Sequence, residues 1–134
     1  MKQKKIILLV LALSVTLIGF IVYNYIFHST HRNIAIEKAN IILFANDLHS
    51  NFLNDESLAT ANYLDKVIET RGNISSIEKN GVVLNNRIQV SFNTEVKSKL
   101  IDGASLIIKG RCVGYDELLE MVKIDQAIVI NKEN

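Results

Sequence analysis

The side chain in this 134-residue chain with the greatest capacity for covalent chemistry is its single cysteine, Cys112. A reactive thiol needs a partly exposed, electropositive setting and usually a nearby base. In a strand, Cys112 shares parity with Leu106 and Ile108, whereas the neighbouring Arg111 points to the opposite face. We therefore expect a buried, unreactive thiol; a nucleophile or redox sensor is the alternative.

The histidines and acidic residues form no evident catalytic or metal-binding set. His28 and His31 stand three residues apart, like half of a metal site, but no cysteine or third histidine is close in sequence. His49 falls in a predicted helix, and we expect a structural or surface role for all three histidines. The Asp55-Glu56 pair opens another helical segment, where the helix dipole favours acids. With no recognisable catalytic or phosphate-binding motif either, we predict no catalytic residue, no metal site and no cofactor.

Composition excludes several classes of protein. The chain has 15 Lys+Arg and 14 Asp+Glu, 49% hydrophobic residues, six glycines and no proline or tryptophan. Such a chain is neither disordered, collagen-like nor a basic nucleic-acid tail, and one cysteine excludes a disulfide framework. Residues 28–134 hold 12 Lys+Arg and 14 Asp+Glu, a formal charge of −2. This part therefore has no global attraction for nucleic acid or anionic lipid.

The N-terminal segment predicts a membrane anchor. Three lysines lie in residues 1–5, and residues 6–27 are uncharged. A helix of 22 residues is about 33 Å long, enough to cross a hydrocarbon core of about 30 Å. Tyr23 and Tyr25 fit an interfacial aromatic belt, and the lysines favour a cytoplasmic N-terminus. We expect an uncleaved single-pass anchor with the remaining chain outside the cytoplasm (periplasmic); a cleaved signal peptide is the alternative.

Residues 28–43 look like a stalk, and a domain is expected over residues 44–134. Its first part has helical periodicity, with Asn46 or Asp47 as a cap and Leu48, Phe52 and Leu53 on one side. A second helical segment follows from Asp55 to Tyr63.

After residue 64 the hydrophobic period changes to two, which indicates strands. Gly72 predicts a bulge or bend, Asn80-Gly81 a tight turn, and residues 95–100 a short helix. The five predicted strands are 66–79, 82–84, 87–93, 105–115 and 121–130, the last with Val122, Ile124, Ile128 and Ile130 inward. This order predicts a mainly β fold, a five-stranded OB-fold Greek-key barrel after a transmembrane helix and a short helical segment. Another small barrel or half a sandwich also fits.

Three segments resemble the bacterial tRNA-anti-like OB-fold family. Residues 63–74 resemble its first strand, 103–115 its fourth and 122–127 its closing strand, and the likeness spans residues 44–130. The Lys-Gly-x-Cys-x-Gly-Tyr run that ends at Tyr115 is the most specific part. The resemblance implies a small secreted or membrane-anchored protein of unknown role, and it carries no catalytic motif.

The outward-facing strand residues are the best functional candidates. OB-folds bind oligonucleotides or oligosaccharides across strands two and three and the adjoining loops. Single-stranded nucleic acid requires basic residues interleaved with aromatic side chains, on which bases stack. Among the candidates, only Tyr115 is aromatic. By strand parity the predicted binding residues are Arg87, Gln89, Ser91, Lys109, Arg111 and Tyr115.

Three hypotheses for function follow. The first is a non-enzymatic binding module, anchored in the membrane through residues 6–27, with an envelope protein or a small ligand as its partner. The second is a single-stranded nucleic-acid or oligonucleotide binder that uses the OB face. The third is an enzyme that uses Cys112 or the acidic residues. The predicted location outside the cytoplasm favours the first.

Overall fold

The chain divides into two structural units, Met1–Arg32 and Asn33–Asn134. The structure is a computed structural model, and it describes residues 1–27, 33–96 and 99–130, without the side chain of Phe27. His28 and His31, the start of the predicted stalk and the polar C-terminal tail lie outside the described residues.

Helix α1 (Lys2–Phe27) fulfils the length and composition of a membrane span. Its 26 residues extend about 39 Å, its mean hydropathy reaches 2.8, and its large apolar side chains are exposed. The polar side chains of Ser14, Thr16 and Asn24 each donate to a carbonyl oxygen one turn earlier, at 2.8, 2.8 and 3.1 Å. These bonds lower the cost of placing the three groups in hydrocarbon.

The second unit contains the predicted five-stranded barrel. After a short strand β1 (Ile41–Phe44), its strands are β2 (Val67–Glu78), β3 (Gly81–Leu84), β4 (Ile88–Phe92), β5 (Ser105–Asp116) and β6 (Met121–Val129). Antiparallel pairs join β2 to β3, β3 to β4, β6 to β5 and β5 to β2, while β4 and β6 are parallel. The β2–β5 pairing closes the ring, so the OB-fold order is confirmed.

Two short helices, α2 (Ala45–Asn54) and α3 (Glu56–Tyr63), form where the sequence predicts helical segments. Both pack on the barrel core. Leu48 and Phe52 are buried, but Leu53 is 55% exposed. Asp55 caps α3 because its Oδ1 accepts a hydrogen bond from the Leu58 N–H at 3.0 Å. The predicted cap of α2 is wrong, since the helix already begins at Ala45 without a side-chain cap.

Strand β1 (Ile41–Phe44) is an element that the sequence analysis does not predict. It lies in the segment expected to be a stalk and pairs in parallel with β2 over Ile68–Arg71. Four consecutive apolar residues carry neither a helical nor a strand period, which explains why the pattern does not reveal this strand.

Bulges change the predicted facing of several residues. An extra residue in β5 lies between Cys112 and Gly114, and another in β6 coincides with Gln126, whose φ is 49°. Parity therefore reverses beyond each bulge. Ala127 is buried, and Ile128, predicted inward, pairs with Lys109 of the outer face instead.

The bulge predicted at Gly72 lies farther along β2, between Ile74 and Ser76. Gly72 serves close packing, because a Cβ there would be 3.0 Å from the Ala45 Cβ.

The helix predicted over residues 95–100 is absent from the described part of that segment, residues 95–96 and 99–100. Six residues provide few i→i−4 hydrogen bonds to offset the cost of helix nucleation. Leu100 packs against the barrel core instead.

Candidate binding site

The structure does not bring the six predicted binding residues into one site. Gln89 and Ser91 lie on β4 with Arg87 at its start, whereas Lys109 and Arg111 lie on β5. Strand β6 separates β4 from β5 in the sheet, so the two groups flank β6.

Arg111 is held in an ion pair with Asp125. Its Nε and Nη2 donate to the two carboxylate oxygens at 2.9 and 2.7 Å, and Asp65 lies 3.7 Å from Nη1. The hydrogen bond to Asp125 raises the pKa of Arg111 further. The Nε and Nη2 groups, which would bind a phosphate together, already donate to a carboxylate. This pairing weakens the attraction of Arg111 for nucleic acid.

Lys109 fastens the chain segment that precedes β1. Its Nζ donates to the backbone oxygens of Ala35 and Glu37 at 3.0 and 2.9 Å. Ile34 in this segment is only 2% exposed. The ammonium group therefore holds residues 33–37 across the sheet, and its role here is structural.

The β4 group is more open. Arg87 and Ser91 are exposed, and Gln89 is half-buried. The Gln89 Nε2 lies 3.4 Å from both carboxylate oxygens of Glu78, a long contact across the sheet. These three residues and Glu78 comprise one cation, one acid and two neutral polar groups, which is typical of a solvated strand surface.

Tyr115 lies on the core side rather than on the predicted outer face. The β5 bulge reverses its parity, and its ring stacks on Phe52 with centroids 5.8 Å apart and planes 13° apart. Desolvation raises the pKa of its hydroxyl. Its ring is therefore engaged in packing and is not presented to a base.

His49 joins α2 to the turn between β5 and β6. The ring is 2% exposed, and its Nε2 lies 2.8 Å from the Glu120 carbonyl oxygen. Because a carbonyl only accepts, Nε2 carries the proton. In the neutral ring, Nδ1 is then an acceptor, and it faces Arg87 Nη1 at 3.5 Å. These contacts give His49 the structural role that we expected.

Cys112 is completely buried, as predicted, and burial raises the pKa of its thiol from 9.0 to about 11. At neutral pH the thiol is protonated and inaccessible, both of which oppose nucleophilic chemistry. Among the described residues there is also no cluster of three potential metal ligands.

Iodoacetamide is expected to modify Cys112 in the folded chain on the order of a hundredfold more slowly than in urea, because modification requires unfolding. Mass spectrometry of the modified chain measures the rate of this reaction. Rapid modification of the folded protein at neutral pH would contradict burial.

Since folding raises the pKa of the Cys112 thiol, the contribution of this group to stability is complete below pH 9 and is lost as the pH rises through about 11.

The sequence analysis misses an apolar groove on the outer face of β1, β2 and β5. We call it the β1 groove; its volume is about 390 Å³ and its lining includes Ile42, Phe44, Asp47, Thr70, Arg71 and Ile107. A run of four apolar residues is its only sequence signal, and that run does not show which side chains are exposed until β1 is known to be a strand. A second pocket, of about 430 Å³, lies at the barrel end beside Ile77 and Phe92.

Comparisons with known proteins agree with this fold. The model of the tRNA_anti-like family matches residues 1–126, as the sequence resemblance implies. Among solved structures, the chain is similar to a candidate nucleic acid-binding lipoprotein from Klebsiella pneumoniae, with a TM-score of 0.53. The two are 14% identical, and the likeness covers 66% of this chain and 91% of that chain. Such low identity shows a shared fold alone. No curated protein matches this sequence.

Proposed function

The chain belongs to the tRNA_anti-like family, and from that premise we propose that it is a membrane-anchored, non-enzymatic binding module of the bacterial cell envelope. Its partner is a protein or a small ligand. One observation carries this proposal: a helix of membrane-spanning length precedes a barrel in which two predicted binding residues already have partners within the chain. Lys109 donates to a backbone oxygen, and Arg111 donates to the carboxylate of Asp125.

The proposed orientation places the N-terminus in the cytoplasm and the barrel outside it. Lys2, Lys4 and Lys5 precede the apolar stretch, and positive residues are retained on the cytoplasmic side. Tyr23 and Tyr25 lie near the other end, where aromatic rings favour the membrane interface. The alternative is that α1 is a signal sequence that is removed.

The absence of catalysis is supported by the placement of the reactive groups. Cys112 is buried with a raised pKa, His49 is engaged by a backbone carbonyl, and Asp55 caps a helix. Each of these groups has a structural role, so none is available as a nucleophile or general base.

Single-stranded nucleic-acid binding is the second candidate. It is favoured by the similar solved structure, which is named as a candidate nucleic acid-binding lipoprotein. Against it stand the Arg111–Asp125 ion pair, the Lys109 contacts and the packed ring of Tyr115. Nucleic-acid binding depends on free cations and exposed rings, which these contacts remove.

Protease treatment of spheroplasts tests the membrane-anchored proposal. We expect protease to remove a C-terminal epitope tag from the full chain without lysis, and the chain to remain in the membrane pellet after a carbonate wash. A cytoplasmic protein serves as the control for intact spheroplasts. Digestion only after lysis would place the barrel in the cytoplasm, and release by carbonate would show that α1 does not anchor it.

Fluorescence anisotropy with a labelled single-stranded oligonucleotide separates the two candidates. We expect no salt-sensitive binding by the wild-type chain. Asp125→Asn removes the carboxylate that pairs with Arg111, so this variant should bind better if the face contacts phosphates. Wild-type binding that weakens with salt and with Arg111→Gln would establish the nucleic-acid function instead.

A further inference from the structure

Strand β1 leaves one edge of the sheet open. It pairs only with β2 in the sheet formed by the described residues. The carbonyl oxygen of Lys66 accepts from the Cys112 N–H at 3.0 Å, so the even-numbered residues of β2 direct their backbone groups toward β5. Because Ile41 aligns with Ile68 in the parallel pair, Ile41 and Leu43 bond to β2, and the backbone groups of Ile42 and the N–H of Phe44 point toward the open edge. These groups are positioned for another strand.

The side chains beside this edge are apolar and exposed. Ile42 and Phe44 are 73% and 61% exposed, and together with Ile107 they line the β1 groove. Neither proline nor a charged residue interrupts β1, although these are the usual means of protecting an edge strand. The surface therefore combines main-chain pairing with sites for alternate side chains, the two components of peptide recognition by strand addition.

The size of the edge determines which occupant fits. The four residues of β1 extend about 13 Å. Pairing of two such strands covers far less than the roughly 1,200 Å² that a stable protein dimer buries. A short extended segment matches the edge, since its affinity depends on a few backbone bonds and on side chains at alternate positions.

We propose that the open edge of β1 binds an extended segment of a partner protein, which adds as a further strand and places apolar side chains at alternate positions in the β1 groove. This inference rests on the proposed function, and it specifies the partner as a protein rather than a small ligand.

Selection from a phage-displayed library of random linear peptides on the purified full-length chain in detergent tests this proposal. Enriched peptides should carry apolar residues at alternate positions. Ile42→Lys should weaken binding of the synthesised peptides by at least about tenfold, because it places a charge in the groove. The matched control is Leu118→Lys, which changes a 96% exposed residue in the β5–β6 turn and should leave binding unchanged.

Methylation of single backbone nitrogens in the best peptide adds a test specific to strand addition. Binding should fall about tenfold at every second position and change little between, because only alternate N–H groups face β1. Failure to enrich any peptide, equal binding to Ile42→Lys, or methylation effects without a period of two would overturn the proposal. So would a concentration-dependent dimer that Ile42→Lys abolishes, since a second copy would then occupy the edge.

These results are independent of the orientation of the chain in a membrane. A negative peptide selection combined with protease removal of the tag in spheroplasts would leave the proposed function in place. Strand addition combined with a cytoplasmic barrel would support peptide binding at β1 and contradict the proposed location of the barrel at the cell envelope.

Discussion

Replacing Gly81 with alanine is expected to destabilise the barrel by about 3 kcal/mol, at the upper end of the usual cost of overpacking. Gly81 is buried at the start of β3, and a Cβ at this position would collide with the carbonyl oxygen of Val90. The obstacle is backbone, so it cannot be relieved by rotating a side chain. Moving it requires separation of β3 from β4, which pair at Gly81 and Ser91.

Urea unfolding of the full chain in detergent, followed by the near-ultraviolet circular dichroism of its tyrosines, measures this loss. Gly103→Ala is the matched control, because Gly103 has a φ of +78° but no atom within 4 Å of a new Cβ. That variant should cost only about 1–2 kcal/mol, from the backbone conformation. Equal losses for the two variants would show that the collision is not the cause.

Replacing Phe52 with alanine is expected to cost about 3–5 kcal/mol, the usual range for a large aromatic in a core. Phe52 is 2% exposed, stacks on Tyr115 and lies 5.9 Å from the ring of Tyr63. Its removal leaves a cavity where α2 and α3 pack on the barrel. The same unfolding measurement applies, and the tyrosine signal of the folded state should also decrease.

Phe52→Leu is the control for this substitution, because leucine restores much of the apolar volume and should recover a large part of the stability. If both variants unfold at the wild-type urea concentration, α2 does not contribute to the core in the way its burial indicates. If leucine and alanine are equally harmful, ring stacking rather than filled volume dominates.

The sequence predicts those parts of the fold that follow from regular periodicity. Alternation identifies β4, where Ile88 and Val90 are buried as expected, and the apolar run identifies α1. The Asn80-Gly81 pair predicts the hairpin between β2 and β3, but the turn is one residue earlier, at Lys79-Asn80, and Gly81 already pairs with Glu78. The glycine, however, is needed for space beside Val90 rather than for a positive φ, which is a tertiary requirement that the dipeptide does not reveal.

The candidate site was less predictable because facing depends on irregularities. One bulged residue in β5 moves Tyr115 from the outer face to the core, and the glycine positions did not locate the bulges correctly. The partners of Lys109 are backbone oxygens 72 and 74 residues earlier in the chain. Such contacts depend on the closed barrel, and strand parity alone placed this lysine on an open binding face.

The order of strands also determines when this domain can fold during its synthesis. Strand β6 is made last, yet it lies between β4 and β5 in the ring. A ribosome-bound chain that ends before Met121 therefore lacks the strand that joins the two sides, and its partly made sheet has unprotected edges. Because the closing contacts are distant in sequence, folding should be slow compared with that of a helical bundle of the same length. The barrel thus cannot close until β6 has left the ribosome.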